Sequence, residues 1–130
     1  YFSENYAEAV TYLDLTLDLI LVRQELKEET GLEISTKLLN SNPNLKILLM
    51  SNLILEESIN EEFNKLQIRR IIKPFNIFQL VSEFEAFFTT NETKKVSNKI
   101  IPIELEFTIL IVEDNKVNML LANRILTSLY

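Results

Sequence analysis

The alternation of short apolar runs with helix-period segments limits what this chain can fold into more than any other feature. Residues 18–22 (Asp18, Leu19, Ile20, Leu21 and Val22) form a short run, apolar at each position after Asp18, which reads as a strand buried on both faces, as in parallel sheets. Residues 45–50 repeat that pattern, and residues 69–72 predict a third strand, stopped at Lys73 and Pro74. The run 107–112 is the most apolar of all. Between the runs the period changes. Ala7, Val10, Leu13 and Leu15 lie among polar neighbours and predict a short amphipathic helix over 6–15. Leu32, Ile34, Leu38 and Leu39 predict another, ending at the turn 40–44, and a third is expected around 58–66. In 75–88, Phe78, Val81, Phe84, Phe87 and Phe88 fall mostly at helical spacing, and that aromatic stripe reads as core packing. A last helix is expected from Val117 to Leu129. Gly31, the sole glycine, punctuates the loop after the first run. Buried strands alternating with amphipathic helices argue an α/β domain with a parallel sheet.

Composition excludes several chemistries. A length of 130 residues is one domain's worth and can bury a core. The net charge of −6 works against non-specific binding to nucleic acid or anionic lipid, because both need a positive field. The chain has no cysteine, so disulfides, thiolate catalysis and Cys-ligated metals are excluded. It has no histidine either, which removes the commonest general base and the usual zinc ligand. No apolar run approaches the ~20 residues of a membrane span. The expectation is a cytoplasmic protein, with any membrane anchor lying elsewhere in a parent chain. Tyr1, Phe2 and Ser3 replace a start methionine, so a fragment of something larger is expected.

Glu113 and Asp114 directly follow the fourth run. Ligands of open parallel sheets gather outside the carboxyl ends of the strands. Two carboxylates there can hold Mg²⁺ through oxygen ligands, with water filling the other positions. On spacing alone, a polar turn or a helix cap is the commoner explanation.

The neighbours of that pair carry more information. Residues 107–118, with Glu113, Asp114, Asn115 and Asn118, strongly resemble the first strand and helix start of receiver domains in two-component signalling. The likeness is greatest to receivers of hybrid sensor histidine kinases, where an acidic pair followed by Asn-x-x-Asn is typical. Residues 5–10 resemble the family's second helix, and 18–22 the strand that normally ends on the phosphoacceptor aspartate. Gly31 follows that end by eight residues, as in the family. Ser51 resembles the family's switch hydroxyl, and Lys73 with Pro74 its phosphate-binding lysine and the following proline, 22 residues further on. The fold this implies is flavodoxin-like, a doubly wound parallel sheet of order 2-1-3-4-5. The activity it implies is a phosphoryl switch. In that family Mg²⁺ and the lysine neutralise an aspartyl phosphate, and the hydroxyl residue follows the phosphate and shifts the loops. A cis Lys73–Pro74 bond is also implied.

This chain departs from the pattern where the chemistry is most demanding. An acyl phosphate needs a carboxylate nucleophile, and the acceptor position holds Arg23, whose guanidinium stays protonated. Lys27 stands where proline is usual, and Arg70 where an aromatic switch residue often sits. The resemblance therefore implies a pseudo-receiver that is not phosphorylated, is not itself an enzyme, and holds Mg²⁺ weakly or not at all. Its implied partners are histidine kinase or phosphotransfer domains and neighbouring receivers. Simpler roles exist for two residues: Ser51 as a cap of the following helix, and Asn118 as a local hydrogen-bonding residue. Two rival functions differ in kind. One is a phosphorylatable second receiver whose acceptor lies beyond residue 130. The other is a flavodoxin-like small-molecule binder, against which a single glycine argues.

The receiver parts occur in rotated order. Residues 1–88 supply a receiver lacking its first strand and helix, with a remnant of the second strand at Tyr1, Phe2 and Ser3. Residues 89–106 read as a polar linker, and 107–130 as the missing strand and helix. Without that strand the middle of the sheet is open, with long apolar edges. Closure is expected either within one chain or by a swap between two copies in a dimer. It would bring Arg23 opposite Glu113 and Asp114, where a bidentate ion pair is expected.

Overall fold

Phe2–Ser3 (β1), Leu19–Arg23 (β2), Ile47–Ser51 (β3), Arg69–Ile72 (β4) and Ile109–Val112 (β5) pair in parallel as one sheet, in the order β1-β5-β2-β3-β4. With β5 counted as the first strand, this is the flavodoxin-like order 2-1-3-4-5, its parts rotated along the chain. The coordinates are those of a computed structural model and describe residues 1–52, 57–88 and 107–128. The expected linker, 89–106, lies outside the described residues.

Strand period puts alternate side chains on opposite faces of the sheet. Ile20, Val22, Ile47, Leu49, Leu110 and Val112 face one core. It is covered by Tyr6–Val10 (α1), Gly31–Ser41 (α2) and Glu57–Leu66 (α3). Leu19, Leu21, Leu48, Met50 and Ile111 face the other, covered by Ile77–Phe88 (α4) and Lys116–Thr127 (α5). Both faces being covered is why these runs are apolar at successive positions rather than at alternate ones.

β5 sits in the middle of the sheet of its own chain. Ile111 is in register with Phe2 on one side and with Leu21 on the other. The joint is closed at its amino end by Asp18, whose N–H donates to the Thr108 carbonyl at 2.8 Å while its carboxylate accepts from the Thr108 N–H at 2.8 Å. At its carboxyl end the Glu113 N–H donates to the Ser3 carbonyl at 2.9 Å.

Several local expectations need correction. The first helix is one short turn, Tyr6–Val10, followed by turns rather than a helix to residue 15. Ala9 is its buried residue, with Tyr6, Tyr12, Leu13 and Leu17 packed around, whereas Ala7, Val10 and Leu15 are exposed. In α4 the inward line is Leu80 and Phe84, with Phe87 half-buried, and Phe78 is 82 % exposed. Phe78 is two residues before Leu80, about 200° around a helix of 3.6 residues per turn, so it falls on the opposite face. Gly31 is the first residue of α2, not a loop residue.

Candidate functional site

The carboxyl ends of β2, β3 and β5 converge at one edge of the sheet, and the polar residues cluster there. Val22 and Val112 are in register, so the next residues, Arg23 and Glu113, leave adjacent strands side by side. Glu113 is 2 % exposed. A carboxylate so buried must be bonded or neutralised, and here both hold. Its Oε1 accepts from Arg23 Nη1 at 2.8 Å and from the Asn115 N–H at 3.0 Å. Its Oε2 accepts from Asn118 Nδ2 at 3.3 Å. Asn118 thus has the local bonding role considered from sequence. Asn115 caps α5, its side chain accepting from the Val117 N–H at 2.9 Å.

Arg23 Nη1 also donates to Asp114 Oδ1 at 3.2 Å. One nitrogen therefore spans two carboxylates, instead of the guanidinium forking onto one, as bidentate pairing would require. Neighbouring strand ends set this arrangement, because both acidic residues come from one chain segment and Arg23 approaches from the side. The hydrogen bond to Glu113 raises the guanidinium's pKa; burial opposes that, and the fields of Glu113, Asp114 and Glu25 reinforce it. Lys27 Nζ lies 3.9 Å from Asp114 Oδ2 but its side chain is 79 % exposed, so screening leaves it a minor partner.

Ser51 ends β3 and is wholly buried. Glu57 is the first described residue of α3. The Ser51 hydroxyl donates to Glu25 Oε1 at 3.4 Å, and the same oxygen accepts from the Asn52 N–H at 2.8 Å. The sequence reading missed Glu25. A glutamate in a polar loop carries no signal of a partner 27 residues away.

Lys73 follows β4 in a cis bond with Pro74, and its N–H donates to the Ser51 carbonyl at 2.7 Å. Lys73, Asn52, Glu113 and Asn118 form the polar part of a cavity of about 490 Å³, whose other walls include Leu21 and Ile111. Arg70, on β4, has its guanidinium carbon 5.6 Å from the centre of the Phe63 ring.

Gly31 holds the β2–α2 loop, which leaves β2 after Arg23 and carries Glu25. A Cβ on Gly31 would collide with the Arg23 carbonyl oxygen, a backbone atom that cannot swing aside. The Gly31 N–H donates to the Gln24 carbonyl at 2.9 Å, and Gln24 Oε1 accepts from the Leu32 N–H at 3.0 Å. Gly31→Ala is expected to cost about 1–3 kcal/mol of stability, the usual range for overpacking. Urea denaturation measures this, and an unchanged midpoint would mean the loop tolerates the methyl group.

The donor set does not fit Mg²⁺. Glu113 and Asp114 offer carboxylates, but a protonated guanidinium bridges them, putting positive charge where a cation would sit. Among the described residues no three Asp, Glu, His or Cys side chains are grouped to hold a metal.

With this geometry in place, comparison with solved structures is informative. The receiver domain of HemR from Leptospira biflexa, in its non-phosphorylated form, is 16 % identical with a TM-score of 0.60, over 72 % of this chain and 77 % of that one. A two-component response regulator from Clostridium difficile is 25 % identical with a TM-score of 0.56, over 65 % and 69 % of the two chains. The response regulator TrrA from Thermotoga maritima, solved in complex with Mg²⁺ and BeF, is 20 % identical with a TM-score of 0.53, over 65 % and 73 %. The fold is the receiver fold. No family model matches the chain, and no curated protein does.

Proposed function

We propose that this chain is a pseudo-receiver of two-component phosphorelay signalling, acting through protein–protein contacts rather than through its own phosphorylation. One observation carries the reading. At the end of β2, where the resemblance implies an acceptor aspartate, Arg23 reaches Glu113 at 2.8 Å and Asp114 at 3.2 Å. The nucleophile is gone and its replacement puts a positive charge against the acidic pair. Residues 107–128 act as the first strand and helix of this receiver, with 1–88 supplying the rest. Its partners are a histidine kinase or phosphotransfer domain and neighbouring receivers, within a hybrid kinase or multi-receiver parent.

Exposed apolar residues support a protein-binding role. Val117, Leu120 and Leu121 are 73 %, 70 % and 57 % exposed and share one face of α5 at spacings of three and four residues. Such a contiguous face on a folded domain is a marker of an interaction site. The charge of −6 and the lack of a described helix long and apolar enough to cross a membrane give no support to a nucleic-acid or membrane partner.

The test is phosphorylation itself. Acetyl phosphate with Mg²⁺ is expected to leave the intact mass of the chain unchanged. A hydroxylamine-sensitive gain of one phosphoryl group on any residue would overturn the pseudo-receiver reading.

A further inference from the structure

We propose that Glu25 is a tethered anion that holds Ser51 and the Asn52 amide in the engaged arrangement a receiver otherwise reaches only when phosphorylated; the inference rests on the pseudo-receiver reading. The switch implied by the family is a hydroxyl that moves onto a newly formed anion. In this chain an anion is already in position. Glu25 Oε1 accepts from both the Asn52 N–H, at 2.8 Å, and the Ser51 hydroxyl, at 3.4 Å. The other oxygen, Oε2, faces Arg23 Nε at 3.8 Å and has no hydrogen-bond partner. The order across the pocket is therefore the acidic pair, a cation, an anion, then a hydroxyl and an amide donor. The resemblance implies a metal ion, an aspartyl phosphate and a hydroxyl in that sequence, and here Arg23 and Glu25 take the first two places.

The loop leaves the carboxylate little freedom to be elsewhere. The Gln24 N–H donates to the Met50 carbonyl at 2.8 Å, and Glu25 bridges to Thr30 across the base of the loop. Thr30 in turn forms a capping box with Glu33 at the start of α2. Arg23, two residues earlier at the end of β2, supplies the cation that lets a carboxylate sit in a partly buried pocket already containing Glu113 and Asp114. Ser51 is buried, and its hydroxyl is within hydrogen-bond reach of Glu25 Oε1. Both halves of the pocket's charge are built in, and the chain presents one fixed face to its partner.

The test uses the full chain and amide NMR, with Mg²⁺ and beryllofluoride as the phosphoryl probe. Glu25→Ala is expected to speed hydrogen exchange of the Asn52 amide at least ~10-fold and to shift its resonance, because a charge-assisted acceptor is lost. The double variant Arg23→Asp with Glu25→Asn restores a carboxylate nucleophile and clears the anion. Adding the probe to it is expected to return the Asn52 amide to its position in the unaltered chain. If the probe binds but drives that resonance further from the unaltered position, the tethered-anion inference fails while the receiver reading stands. If the probe does not bind at all, the receiver reading fails. In that case an Asn52 amide unmoved by Glu25→Ala overturns the inference as well.

Discussion

A chain cut after Phe88 is expected to lose cooperative unfolding altogether. The cut removes β5, which lies between β1 and β2 and pairs with both. Leu110, Ile111 and Val112 are 0 %, 2 % and 0 % exposed, and burying each such side chain contributes about 1.5–3 kcal/mol. Losing three costs roughly 4–9 kcal/mol before any effect on their neighbours, and a domain has only about 5–15 kcal/mol to lose. The neighbours lose more. β1 is two residues long and its partner is β5, so it has nothing left to pair with. One edge of β2 is bared, and Leu19 and Leu21 lose the cover of Ala122, Ile125 and Leu126 on α5. The measurement is thermal unfolding by circular dichroism of residues 1–88 beside the full chain. A cooperative melt of the shortened chain at an unchanged midpoint would mean that β5 is not part of the folding unit.

β2, β3 and β5 were legible in the sequence because the inner strands of a parallel sheet covered on both faces demand apolar residues at successive positions; edge strand β4, with Arg69 and Arg70, carries only half of that pattern. The position of 107–112 in the sheet was legible too, since an open sheet centre leaves nowhere else for an apolar strand to pair. The helices were less so. α1 packs through Ala9 and Tyr6, and a small alanine next to the sheet gives no periodic signal against Val10 and Leu15, which look more apolar and point outward. Phe78 was misjudged because residue type suggested burial while its angular position, opposite Leu80 and Phe84, did not.

In the site, adjacency of strand ends was enough to anticipate that Arg23 meets Glu113 and Asp114. It could not give the geometry, in which a single nitrogen bridges both carboxylates. Glu25 was invisible for a different reason. Its contacts with Ser51 and Asn52 depend on the turn that Gly31 makes possible, and loop paths are set by three-dimensional closure rather than by local pattern.

Replacing Arg23 by aspartate is expected to turn a pocket held by its own cation into a metal-dependent one. Arg23 now supplies the closest positive charge to Glu113 and, through the same nitrogen, bonds Asp114. Removing one partner of a buried pair leaves an uncompensated charge, a loss of about 3–5 kcal/mol. Glu113 keeps its bonds from Asn115 and Asn118, and Lys27 stays near Asp114, which argues for the low end, about 3 kcal/mol. Arg23→Asp adds a carboxylate to those of Glu113 and Asp114, on a strand ~4.8 Å away, and to that of Glu25, so their repulsion is strongest without a cation. Mg²⁺ relieves it by taking the position of the guanidinium, with carboxylate oxygens and water as ligands. The expected result is a variant less stable than the unaltered chain in EDTA, and at least ~10-fold tighter for Mg²⁺, a difference of about 1.4 kcal/mol in binding. At a concentration 100 times its dissociation constant, Mg²⁺ should return about 2.7 kcal/mol of stability, raising the melting temperature by several degrees. Arg23→Ala separates the two effects, because it also loses the cation but gains no ligand. It should be destabilised like the aspartate variant and respond far less to the metal. Calorimetric titration and thermal melts with and without Mg²⁺ measure these outcomes. Equal Mg²⁺ affinity in the unaltered chain and in Arg23→Asp would mean that the guanidinium does not stand where the metal ion would bind.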